Sequence, residues 1–211
     1  MLILGASLTA VAAYLLGSIP TGFLVAKARG IDIRTVGSGN IGATNVFRAV
    51  GKPAGIFVLL MDALKGWLAV AVMAKLICGR FYPDANQQAQ EWFRIFAGIS
   101  AILGHNYTCW LHFKGGKGIA TSAGVLVALV LKPFLIILAV WIVVFALTRY
   151  VSLGSIAAAV TLPFAAWLTG QSLTMVGVTS GMSALAIYKH KANIKRLLQG
   201  TESRIGIKPK P

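Results

Sequence analysis

The feature that most constrains this chain is the recurrence of apolar runs close to twenty residues long. A membrane helix needs about 20 mainly apolar residues, with a range near 17–25. Stretches of that kind fall at about 3–26, 54–78, 92–111, 133–149, 151–169 and 171–188, and a shorter one falls at 117–131. The expected fold class is therefore all-α, a polytopic membrane helix bundle of seven transmembrane helices, one of them short and either tilted or partly re-entrant. Composition agrees: 57% of the 211 residues are hydrophobic and only 12% are charged, against about 25% charged in a soluble domain. No linker divides the chain, so residues 1–211 are expected to form a single integral membrane domain. Pro133, Gly154 and Gly170 are expected to mark turns between the later helices. The first run lacks a basic leader and reads as a retained span.

The net charge of +15 comes from 20 basic and 5 acidic residues. Aromatic residues do not interleave with the basic ones as stacking platforms require, which argues against nucleic acid. The positive-inside rule explains the charge better. With the N-terminus outside, the inner loops hold Lys27, Arg29, Arg34, Arg48, Lys52, Lys114, Lys117 and Arg149. The inner tail adds Lys189, Lys191, Lys195, Arg196, Arg204, Lys208 and Lys210, while the outer loops hold only Arg80 and Lys132. The expected topology is N-terminus outside, C-terminus cytosolic, with Cys78 and Cys109 near opposite faces and unbridged.

Three polar stretches then collect on the cytosolic face. In GSGNIGATNVFR, Gly37, Gly39 and Gly42 allow positive φ and close backbone approach, and successive amides there form an anion nest. Ser38, Asn40, Thr44 and Asn45 add neutral donors, and Arg48 adds a fork suited to phosphate. The alternative is a plain connector with a helix start near Thr44. In FKGGKGIAT, Lys114 and Lys117 flank Gly115 and Gly116 ahead of a helix N-terminus that would also suit an anion; a tight basic turn is the alternative. The pattern is not a Walker A loop. In KHKANIKRLLQGTE, His190, Asn193 and Leu197 share a helical face. A basic juxtamembrane helix drawn to anionic lipid explains Lys191, Lys195 and Arg196, but not His190, Asn193 and Glu202.

Two smaller features complete the reading. Asp62 and Lys65 lie three residues apart within a span, where charge is costly unless paired. They form either an intrahelical ion pair or an anchor for the phosphate loops. His105, at the cytosolic end of the third span, is either structural or orients one of those loops. The five acids and three histidines show no metal-ligand spacing, and no His-x-x-x-x-Asp signature of thioester-using acyltransferases occurs.

The three stretches together resemble the signature motifs of the bacterial acyl-phosphate:glycerol-3-phosphate acyltransferases (the PlsY type). The resemblance covers nearly the whole chain. It departs at Tyr107-Thr108, where the family has Phe-Pro, and at Lys189, where the family has Arg. It implies a cofactor-independent, seven-helix inner-membrane enzyme of phospholipid biosynthesis with its motifs in the cytosol. Its substrates would be acyl phosphate and glycerol 3-phosphate, and its products lysophosphatidic acid and phosphate. By position, it assigns phosphate binding to Ser38, Asn40, Thr44, Asn45, Arg48, Lys114, Gly115, Gly116 and Lys117, with Gly37 and Gly39 shaping the loop. His190 and Asn193 would sit beside the reacting groups, with Glu202 supporting the last motif. No metal is implied.

Overall fold

A computed structural model describes residues 2–206; Lys208 and Lys210 of the basic tail lie outside the described residues. All regular structure among the described residues is helical. Among the described residues, four helical stretches are long and apolar enough to cross a membrane: Leu2–Lys27, Lys52–Phe81, Leu131–Thr148 and Val151–Leu168. The chain divides into two compact units, Met1–Leu129 and Val130–Pro211.

In the first unit, α1 (Leu2–Ser18) and α2 (Thr21–Lys27) are separated at Ile19–Pro20. The expected first span is present as Leu2–Lys27, but its helix is interrupted there, because proline lacks the amide that would continue the ladder. A short α3 (Ala43–Ala49) precedes α4 (Lys52–Leu68), a π-helical turn (Ala69–Met73) and α5 (Ala74–Phe81). Next, α6 (Gln87–Asn106) starts five residues before the expected third span. Asn86 sets that start: its side chain accepts the Ala89 amide at 2.9 Å, the usual N-cap bond. The helix stops at Asn106, and a 3₁₀ turn (Cys109–Leu111) occupies the rest of the expected span. The last helix, α7 (Ile119–Leu129), has 11 residues, about half of what a bilayer crossing requires.

Glycine lets these helices approach closely. A Cβ on Gly17 would strike the Ala101 carbonyl, and one on Gly104 the Tyr14 carbonyl, so α1 and α6 are in backbone contact. Gly66 meets Thr121, and Gly124 meets Ala63, in the same way between α4 and α7. Small residues at helix crossings are the usual device where lipid supplies no hydrophobic drive between helices.

In the second unit, α8 (Leu131–Thr148), α9 (Val151–Leu168), α10 (Leu173–Lys189) and α11 (Lys191–Leu198) follow in order, with α9 packed on both α8 and α10. Pro133 lies in the first turn of α8, where a proline removes no helical hydrogen bond. Gly154 lies inside α9, not at a turn, and a Cβ there would press on the Trp141 ring at 3.2 Å. The turn before α9 is made instead by Arg149, at φ 62°. Gly170, at φ 71°, does form the expected turn. Leu131, Leu135, Ile142, Val143 and Leu147 are all exposed on α8. An apolar surface of that extent marks contact with lipid or another apolar partner.

Candidate active site

The first polar stretch is a loop closed on its own side chains. Gly37 and Gly39 sit at φ 61° and 66°, where residues with a Cβ are strained. Asn45 is the centre of the loop and is only 3% exposed. Its side-chain amide donates to the carbonyls of Ile33 (3.2 Å), Val36 (2.9 Å) and Asn40 (3.0 Å). Its Oδ1 accepts the Ser38 amide at 3.1 Å. The Asn40 Oδ1 accepts the Gly42 amide at 2.8 Å. Asn45 and Asn40 therefore hold the loop's shape, where the sequence suggested donors aimed at an anion. Ser38 and Arg48 are exposed and Thr44 is half-buried.

At the base of this loop, Arg34 grips Asp32 through Nε at 2.9 Å and Nη2 at 2.7 Å. The Arg34 side chain and then its backbone amide draw the Asp32 carboxyl down to about 2. Beneath, Ile33, Ile41 and Val46 pack with Ala26, Val58 and Leu111 in one buried cluster. Leu111 lies two residues before the second polar stretch, in the 3₁₀ turn that leads into it, so the core under the first loop reaches the approach to the second.

The second stretch folds back on the end of α6. The amides of Gly115 and Gly116 donate to the carbonyls of Asn106 (3.2 Å) and His105 (3.0 Å). Those two amides, expected to face an anion, are thereby engaged by the protein itself. Lys114 is exposed and Lys117 is half-buried. His112 and Phe113 lie consecutively in left-handed backbone, at φ 53° and 59°. Residues held in such conformations persist only where the surrounding structure imposes them.

At the point of departure from the family, Thr108 has φ −64°, a value proline itself adopts. Its hydroxyl donates to the Ser18 carbonyl at 2.6 Å and so caps the broken end of α1. Nearby, the expected Asp62–Lys65 ion pair is present at 2.8 Å. Lys65 also donates to the Ile19 carbonyl at 2.8 Å.

In the second unit, the third stretch breaks at His190, which ends α10 and begins α11. His190 is 2% exposed, and its Nδ1 lies 2.8 Å from the Ala186 carbonyl. A carbonyl only accepts, so Nδ1 carries a proton in this contact. Asn193 is buried and donates to Glu202 Oε1 at 2.7 Å. Ser152 donates to the same oxygen at 2.7 Å, and Arg196 Nε to Oε2 at 2.7 Å. Burial raises the Glu202 pKa, but the bonds from Asn193, Ser152 and Arg196 outweigh it, and the net shift is downward. Lys189 is lowered, by burial first and then by Lys191. Ser152 was not legible as part of this group, since it lies fifty residues from Glu202.

Apolar helices long enough to cross a membrane, joined by loops with exposed hydroxyls and cations, define an integral membrane protein. The glycerol-3-phosphate acyltransferase family profile matches residues 7–200. A glycerol-3-phosphate acyltransferase of Geobacter sulfurreducens is 47% identical over 93% of this chain and 95% of its own length. One of Endomicrobium trichonymphae is 46% identical over 92% of each. Among solved structures, PlsY (YgiH), an integral membrane glycerol 3-phosphate acyltransferase, is similar in its glycerol 3-phosphate form. That form gives TM-score 0.83 at 41% identity, covering 95% of this chain and 96% of that one. Its lysophosphatidic acid form gives 0.81 at 40% identity, covering 95% of each. The chain belongs to the glycerol-3-phosphate acyltransferase family.

Proposed function

We propose that this protein transfers a fatty acyl group from acyl phosphate to the sn-1 hydroxyl of glycerol 3-phosphate, releasing lysophosphatidic acid and inorganic phosphate. The observation that carries this reading is the pair of loops in the first unit. The Ser38 and Gly42 amides, the Gly115 and Gly116 amides and the two asparagines hold the loops' shape, and Ser38, Arg48 and Lys114 are solvent-exposed on them. Such rigid loops offering cations and a hydroxyl suit substrates that both carry phosphate.

Acyl phosphate is a mixed anhydride with a good leaving group, so no covalent enzyme intermediate is needed. The glycerol hydroxyl oxygen bonds to the acyl carbon, and the carbon–oxygen bond to phosphate breaks with its electron pair leaving on phosphate. Arg48, Lys114 and Lys117 neutralise the phosphates, with Ser38, Asn40, Thr44, Asn45, Gly115 and Gly116 forming and shaping their loops. This work consists of positioning and charge stabilisation. His190 Nε2 takes the hydroxyl proton, with Asn193 beside it and Glu202 fixing Asn193.

Residues 1–211 act as one catalytic domain in a bacterial cytoplasmic membrane. The helices make seven crossings, with the N-terminus outside and the motifs in the cytosol. α6 and α10 supply crossings outside the four most apolar stretches, and the 11-residue α7 is the short seventh pass, tilted or partly re-entrant.

Purified protein in lipid, given labelled glycerol 3-phosphate, is tested with acyl phosphate, acyl-CoA and acyl carrier protein as separate donors. Lysophosphatidic acid from acyl phosphate alone is the expected result. Equal use of a thioester donor would overturn the donor assignment.

A further inference from the structure

Asp62, Lys65 and His105 form a buried polar group within the first unit that the acyl-transfer reading does not use. Their side chains are 2%, 6% and 5% exposed. Lys65 Nζ lies 2.8 Å from Asp62 Oδ1 and donates to the Ile19 carbonyl at 2.8 Å. It thereby ties α4 to the break between α1 and α2. His105 Nδ1 lies 3.6 Å from the same Asp62 oxygen, which is beyond hydrogen-bond length but orients the ring's polar edge toward the carboxylate.

The opposite edge of that ring meets the Lys114–Lys117 loop. A Cβ on Gly116 would collide with His105 Nε2. The His105 carbonyl accepts the Gly116 amide at 3.0 Å, and the next carbonyl, Asn106, accepts the Gly115 amide at 3.2 Å. One histidine therefore fixes the loop twice, by its backbone and by its ring. The glycine at 116 is required by the ring's position.

Burying three ionisable groups together is costly, and they persist only when mutually paired. Simple packing of α4 on α6 would be served by apolar side chains. We propose that Asp62, Lys65 and His105 are positioning residues. Asp62, held by Lys65, sets the His105 ring, and the ring sets how Lys114 and Lys117 are presented to phosphate. The proposal rests on the reading of those lysines as phosphate ligands.

The test uses full-length protein in lipid. Weakened charge-assisted contacts to a phosphate lower its affinity by about tenfold to a hundredfold. Asp62→Asn and His105→Gln are therefore expected to raise KM for a phosphate substrate by about tenfold to a hundredfold, with kcat changed far less. Hydrogen exchange gives an independent readout: the Gly115 and Gly116 amides should exchange at least about tenfold faster in both variants.

A rescue separates positioning from folding. Gly116→Ala alone should lose activity against the His105 ring, and Gly116→Ala with His105→Ala should recover part of it by making room for the methyl. This cycle measures the coupling directly and stands even if Asp62→Asn does not fold. Unchanged KM and exchange in folded Asp62→Asn and His105→Gln, or additive losses in the double variant, overturn the proposal. If the wild-type protein turns over no donor, the acyl-transfer reading fails. The exchange rates and the melting temperatures of Gly116→Ala with and without His105→Ala then decide the positioning role separately.

Discussion

Arg48 and His190 have different proposed duties, and their truncation should divide binding from turnover. Arg48→Ala removes charge-assisted contacts worth about 1.5–3 kcal/mol. It should raise KM for phosphate substrate by roughly ten- to a hundredfold in steady-state assays. His190→Ala removes the proposed general base and should lower kcat by about 10²–10⁴-fold. Near-normal turnover in His190→Ala would transfer the proton's acceptor to a substrate phosphate oxygen. Asn45→Ala belongs to neither class. It leaves the carbonyls of Ile33, Val36 and Asn40 and the Ser38 amide without a partner. Only the contact with the Ile33 carbonyl is fully buried, and water can replace the part-buried others, so a loss of about 1–3 kcal/mol, the cost of one unpaired buried group, is expected, measured as a lowered melting temperature in detergent. The sequence showed Asn45 as one polar residue in a glycine-rich loop. It did not show that loop carbonyls would converge on it, because that follows from how residues 33–40 wrap around α3.

The elements have their own sensitivities. Glu202 joins α9 to α11 through Ser152, Asn193 and Arg196. It binds a proton less readily folded than unfolded, because those three bonds outweigh the effect of burial. Its stabilisation is complete above the ordinary glutamate value of 4.5 and is lost as pH falls through the lower folded value. Hydrogen exchange of residues 191–206 should therefore accelerate in mild acid below that value. Glu202→Gln should exchange quickly already at neutral pH and show little further change on acidification. Between α1 and α6, Gly104→Ala places a methyl against the Tyr14 carbonyl. Overpacking of this kind costs about 1–3 kcal/mol and should lower the melting temperature without changing the site's chemistry. Element identity was mostly legible, since α1, α4, α8 and α9 follow apolar runs. Element ends were less so: the Asn86 cap moved the start of α6, and Pro20 divided the first run. The misplaced turn at Gly154 has the same origin, since that glycine answers to the Trp141 ring on another helix.

At the scale of the whole molecule, the charge distribution predicts orientation. In a background lacking Cys78 and Cys109, Asp84→Cys should react with an impermeant thiol reagent added to intact cells. Gln199→Cys should react only after the membrane is opened. The reverse pattern would invert the topology and place the basic loops on the outer face, against the positive-inside rule.

The sequence by itself determined the class of this protein. Apolar run length and charge bias act through the solvent around each segment, so they are local properties, and the three motifs identify the family by residue order alone. Only the tertiary structure decided which polar residues are engaged inside the protein and which face outward. Asn45 and the amides of Gly115 and Gly116 turned inward, while Ser38 and Lys114 stayed exposed to solvent. The reason is that a hydrogen-bond partner is chosen by proximity in space. His105 meets Gly116, and Asp62 meets His105, across distances in the chain that no local pattern encodes.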